Sequence, residues 1–247
     1  ALAAGALLDH FPRHGPEILA GAGLVGFAGT WMYARIPFTH PRAAAPVVAG
    51  RSLWARAFGD MFRLLREHRA FDRYERNYFL YGLAFMVLLP VNVFLLVDAF
   101  QVSYKELSLV KLVALQVGFM LSVPGWGRSM DRRGPYGTAA RAFLMLATYP
   151  ALLSVALASH RFELVWVAYF VFGVCMAGVH VTWTLSSVHF ARGRDSTPFM
   201  GIHIFAVGVR GVLGPSLGLA LYQLAGFHGA FAASCALFLI AGLLMRY

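Results

Sequence analysis

The chain has 247 residues, of which 59% are hydrophobic and only 13% charged, with a net charge of +10. Soluble domains carry about 25% charged residues, so this composition excludes an ordinary water-soluble core. The basic residues lie between long apolar runs, so the charge is read as topological and no nucleic-acid partner is expected.

The chain opens inside an apolar run, "ALAAGALL". With no basic segment before it and no cleavage site after it, this is not a signal peptide. It reads as the tail of a helix, and the chain as a fragment of a longer protein. Apolar runs of about 18 or more residues read as membrane-spanning helices. Seven follow the stub, at 17–35, 77–101, 107–126, 138–159, 162–190, 198–224 and 228–245. Turn signals separate them, among them "HFPRHGP", "QVSYKE", "SHRFE" and "AGFHG". Pro90 and Pro215 fall inside spans, where neighbouring helices can satisfy a freed carbonyl, and are read as kinks. The layout predicts an all-α polytopic membrane protein in three parts. Residues 1–36 hold the stub and one span, 37–76 form a linker, and 77–247 form a six-helix bundle.

The linker's second half, "RSLWARAFGDMFRLLREHRAFDRY", places Trp54, Phe58, Met61, Phe62 and Leu65 at helical spacing. Arg56, Arg63 and Arg66 fall largely off that stripe. An amphipathic helix of this kind lies on a membrane surface or packs on the rest of the protein.

Sixteen arginines fall on one side of the predicted spans, whereas the other side holds Arg13, Lys105, Lys111 and Arg161. By the positive-inside rule the linker and the C-terminus are cytoplasmic. Cys175 and Cys235 fall within apolar segments and read as free, buried thiols.

The turn "GWGRSMDRRGPYG" (125–137) closes one span and opens the next. Gly127 allows close backbone approach, and Gly134 supplies a positive-φ turn. Asp131 sits at the membrane boundary, while Arg132 and Arg133 lie at headgroup level, where they favour anionic lipid. Physically this is a positive-inside loop with a helix-stopping glycine. Gly127, Asp131, Arg132 and Gly134 also match G-x-x-x-D-R-x-G, and so resemble the signature loop of the major facilitator superfamily. The surrounding layout is similar to the family's C-terminal half, from the end of the fifth helix to the twelfth. Gly214, Pro215 and Gly218 resemble the glycine-proline motif of the family's fifth helix, here in its repeat partner, the eleventh. Ser129, the pair Pro135-Tyr136 and Leu219 depart from the two patterns. The resemblance implies secondary transport of a small solute by alternating access, with Asp131 and Arg132 as latch residues. A similar layout links 5–35 with 218–246, as repeated transporter halves do.

Polar residues inside spans face a protein interior or a wet cavity. Arg210 lies near mid-depth and needs a carboxylate from a missing half, helix-end carbonyls or an anionic substrate. His180, Thr184 and Ser187 share a helical face beside Trp183, as a pocket wall or as inter-helix glue. His203, Gln116, Asn92 and Tyr81 are further cavity candidates, and Asp98 reads as a solvated helix end. No nucleophile–base motif is present, and His10 and His14 sit in a proline-containing loop. An enzyme, a metal site and a cofactor are therefore not expected. The expected partners are a small solute, a coupling proton, the lipid bilayer and the N-terminal half of the same protein. The expected location is a bacterial inner membrane. A polytopic membrane enzyme, a cofactor-binding protein or a transport-inactive sensor of the same fold are the alternatives.

Overall fold

The computed structural model describes residues 10–11, 14–36 and 53–246. The stub 1–9 and linker residues 37–52 lie outside the described residues, as do the side chains of Trp54 and Arg56. Every described element is a helix. Helix α1 (Gly15–Ala34) is apolar, and its glycines 21, 23, 26 and 29 face open space. Helix α2 (Leu53–Glu67) is the amphipathic linker helix.

Among the described residues four helical runs are long and apolar enough to cross a membrane: Arg69–Ala99, Tyr104–Ser159, Glu163–Ala191 and Thr197–Leu244. The second holds 56 residues and the fourth 48. Straight, they would measure about 84 and 72 Å, far beyond a hydrocarbon layer of about 30 Å. Each folds back at one glycine. Gly134 (φ 66°, ψ −173°) and Gly226 (φ 65°, ψ −165°) adopt almost the same non-helical conformation. Side chains rarely tolerate it, because Cβ would clash with the neighbouring carbonyl. The reversal at Gly134 is proved by Ser129 and Thr138, whose hydroxyls lie 3.2 Å apart across it. Nine residues of straight helix would separate them by about 13 Å. At the second reversal, Gly218 abuts the carbonyl of Val87 while the Ser234 hydroxyl donates to the carbonyl of Ala84, one turn away.

The bundle therefore has six rods: α3 (Arg69–Phe94, ending in the π turn Leu95–Ala99), α4 (104–133), α5 (135–159), α6 (Glu163–Ala191), α7 (197–225) and α8 (227–244). The charged loop narrows to a single residue, because helix continues through Arg133 and resumes at Pro135. Helix also runs unbroken past Pro90 and Pro215. A capping box starts α4: the Ser103 side chain accepts from the Glu106 amide and the Glu106 carboxylate accepts from the Ser103 amide.

Without a hydrophobic force between helices in lipid, association rests on close packing and on small residues that permit it. Gly118 meets the Phe170 carbonyl and Gly173 the Leu115 carbonyl, joining α4 to α6. Gly214 and Gly218 press on Met86 and Val87, joining α3 to α7. Gly127 does not act this way, since nothing among the described residues lies within 4 Å of a Cβ built there. An aromatic core fills the centre, with Tyr81 stacked on Phe143 at 4.3 Å and Tyr78 edge-on to the same ring. Cys175 is buried and Cys235 half-buried, and both are free thiols.

The amphipathic helix packs on the rest of the protein. Met61, Leu64 and Leu65 of α2 rest on Phe71, Phe199 and Ile202 at the ends of α3 and α7. Phe58 meets Phe205 edge-on at 5.6 Å. The buried stripe uses Leu64 in place of Phe62, which is exposed, because the contact face is rotated toward α7.

Candidate functional site

The α3–α7 seam carries a polar cluster. Glu75, Tyr78 and Gly82 follow one another on α3 at spacings that share a helical face. Opposite them on α7 stand His203 and Arg210, two turns apart. His203 Nδ1 lies 2.9 Å from both carboxylate oxygens of Glu75. A carboxylate only accepts, so Nδ1 carries the hydrogen. The His203 side chain is 1% exposed and that of Glu75 7%. Trp183 from α6 meets the His203 ring edge-on at 4.7 Å, and Tyr78 does so at 4.9 Å. Tyr78 in turn donates its hydroxyl to the Val179 carbonyl at 2.8 Å.

Arg210 is 2% exposed, as a mid-span arginine in a protein interior should be. Its Nη1 donates to the Tyr78 carbonyl at 2.9 Å, and the guanidinium lies 6.0 Å from the Tyr78 and Tyr81 ring centres. Gly82 makes this possible, because a Cβ there would occupy the guanidinium's place. The partner found is a carbonyl, but one within α3 and not at a helix end as expected.

A second feature lies toward the opposite end of the bundle from α2. A cleft of about 620 Å³ opens among α3, α4, α5 and α6. Asn92 and Gln116, far apart in sequence, both line it, together with Lys111 and the rings of Phe85, Tyr149 and Phe172. The Asn92 amide donates to the Tyr149 hydroxyl at 3.0 Å. The π turns Leu95–Ala99 and Val110–Ala114 flank this cleft, and such turns often mark functional positions.

The remaining candidates are dispersed. His180 and Thr184 are exposed; His180 lies edge-on to Phe119 at 5.7 Å, and the Thr184 hydroxyl bonds back to its own helix at the His180 carbonyl. Ser187 is buried and turned toward Met200 of α7, so the three do not form one wall. Tyr81 packs inside the core, its hydroxyl facing Met176 Sδ. Gly214 and Gly218 are contact points against α3, with Pro215 half-buried between them. At the charged turn Asp131 and Arg132 are exposed, and Asp131 has no ion pair among the described residues. Arg128, Arg132, Arg133 and Arg141 line a small cleft beside it.

Sequence reasoning missed Glu75, because residues up to 76 were assigned to the linker, and it also passed over Tyr78, just inside the first span of the bundle. The available signal was the face of Phe71, Tyr74, Tyr78 and Gly82, which carries the helical spacing of α3 back to its start.

Long apolar helices, small-residue packing and two glycine hairpins define a polytopic, all-α bundle of membrane-spanning type. The sequence matches the family model described as Major Facilitator Superfamily over residues 77–247, and the chain belongs to that family. No curated protein and no solved structure matches it.

Proposed function

We propose that this chain moves a small solute across a membrane by alternating access, its six-helix bundle working against a second, N-terminal half of the same protein. The observation that carries this reading is the cleft of about 620 Å³ at Asn92 and Gln116. Ligand sites span about 300–1,000 Å³ and combine apolar walls with a few polar groups, and transporter sites lie between helices of such bundles. The cleft meets both conditions in a chain of transporter family. The Glu75–His203 pair is the site proposed for a coupling proton, since a buried carboxylate–imidazole pair holds or yields a proton according to its surroundings. Asp131 and Arg132, exposed at the α4–α5 turn, are the proposed latch toward the other half. The arginine-rich end, with α2 and the C-terminus, is assigned to the cytoplasm of a bacterial inner membrane by its basic excess.

The test uses the full-length protein in sealed vesicles given an isotope-labelled metabolite mixture, with and without a proton gradient. At least one solute is expected to redistribute only in vesicles holding the protein, and Asn92→Ala with Gln116→Ala should slow it. If no solute moves under either condition, the transport reading fails.

A further inference from the structure

The cleft that carries the proposed function also holds information about what it accepts, and the following rests on that reading. Of the chain's 21 basic residues only two are lysines, Lys105 and Lys111, and both occur near the start of α4. Among the described residues Lys111 is the only charged group lining the cleft, and no carboxylate lines it. Among them Lys111 also makes no ion pair and no side-chain hydrogen bond.

The Lys111 side chain is exposed where it lines the cleft. A cation within a span is expensive unless it is paired or reaches water, and it marks a ligand path by default. Lys111 lies seven residues past the start of α4 at Tyr104, about 10 Å along the helix. It sits inside the π turn Val110–Ala114, which inserts an extra residue and so changes where the side chains of that turn point. The wall also carries the neutral polar groups of Asn92, Ser108 and Gln116, and the remainder is aromatic or aliphatic, Phe85, Tyr149, Tyr169, Phe172, Leu112 and Leu115 among them. Phe85 and Phe172 stack at 5.9 Å, and Tyr149 tilts against Phe172 at 4.6 Å, so the aromatic wall is braced. Asn92 Oδ1 is a buried acceptor without a partner at the edge of this wall.

We infer that the cleft selects an anionic solute with a flat apolar body, a monocarboxylate carrying an aromatic ring or one of like size. The carboxylate pairs with Lys111 and the body lies on the braced rings. Both halves of the requirement come from the lining. A low-dielectric cleft with one uncompensated cation raises the local concentration of anions and repels cations, and aromatic walls reward a planar apolar surface. Lysine suits this role as a compact point charge that does not demand the bidentate geometry of arginine.

The test measures equilibrium binding to the full-length protein in lipid nanodiscs, with three probes of one shape and different charge: benzoate, benzyl alcohol and benzylamine. Acetate serves as the anion without a ring. Benzoate is expected to bind about tenfold or more tightly than the other three, a difference of about 1.4 kcal/mol. Lys111→Gln should erase the preference for benzoate over benzyl alcohol, and Lys111→Arg should keep it, which shows that charge and not folding is lost. Equal binding of benzylamine and benzoate overturns the inference, as does a benzoate preference that survives in Lys111→Gln. Vesicles that move solutes without any Lys111-dependent charge preference leave the transport reading standing and remove this one. Lys111-dependent benzoate binding without movement of any solute does the reverse.

Discussion

The imidazole of His203 and the carboxyl group of Glu75 form a buried hydrogen-bonded pair between α7 and α3, with Nδ1 2.9 Å from each oxygen. Buried pairs of this kind are poor evidence of net stability, because desolvation offsets attraction, yet breaking one from a single side is severe. Glu75→Ala is therefore expected to lower stability by about 3–5 kcal/mol. The double change Glu75→Leu with His203→Leu should recover most of that loss. Thermal unfolding in detergent distinguishes the cases; a single mutant as stable as the parent would show that the pair is not closed in the membrane.

The α3–α7 and α4–α6 contacts depend on glycines facing backbone. Gly173→Ala would drive a methyl into the Leu115 carbonyl, and Gly218→Ala would do the same at Val87. Each should destabilise the bundle by about 1–3 kcal/mol, the usual range for overpacking. Gly127→Ala meets nothing within 4 Å among the described residues and should leave bundle stability unchanged or slightly raised through better helix propensity. Parallel melting curves of the three variants provide the check.

Gly134 and Gly226 hold the two hairpins at φ 66° and 65°. An alanine at either position carries a backbone penalty of about 1–3 kcal/mol. Gly134→Ala and Gly226→Ala should therefore destabilise similarly, although one lies in the charged turn and the other in an apolar one. Faster protease cleavage at the substituted turn would report the local opening.

Arg210 is held by the Tyr78 carbonyl and does not line the cleft at Asn92 and Gln116. Arg210→Ala should cost about 2–3 kcal/mol, the scale of a hydrogen bond from a charged donor. Solute binding by the folded fraction should persist. Loss of binding in fully folded Arg210→Ala protein would instead place the arginine in the solute's path.

Asp195 sits before α7, outside the spans. Hydrogen bonds from the Thr197 side chain and then its backbone amide, the latter at 2.9 Å, hold its carboxyl below the usual aspartate value of 3.8. A folded-state value below the unfolded one means that the contact stabilises at pH above 3.8 and is lost as pH falls through the lowered value. Amide exchange over 197–200 should therefore quicken only under strongly acidic conditions, and Asp195→Asn should make it insensitive to that change. Exchange that quickened instead between pH 5 and 7 would assign it to another group.

Much of this architecture was legible in the amino-acid sequence because bilayer thickness is a one-dimensional constraint. Runs such as 162–190 and 198–224 announced spans by length and apolarity alone, and the turns fell at glycines and charges. The interior position of Arg210 followed from its depth in a span. The signature residues Gly127, Asp131, Arg132 and Gly134 pointed to the family. Hydropathy could not show where α3 begins, since its first turns are amphipathic and carry Asp72, Arg73, Glu75 and Arg76 amid aromatic residues. Only packing against α7 made Glu75 a buried partner of His203. Tertiary structure also decided that Asn92, Lys111 and Gln116 share one cleft while His180, Thr184 and Ser187 do not form one wall. Helical periodicity fixes the face a residue occupies, but not which neighbour, lipid or cavity that face meets. That choice is made by where glycine lets two helices touch.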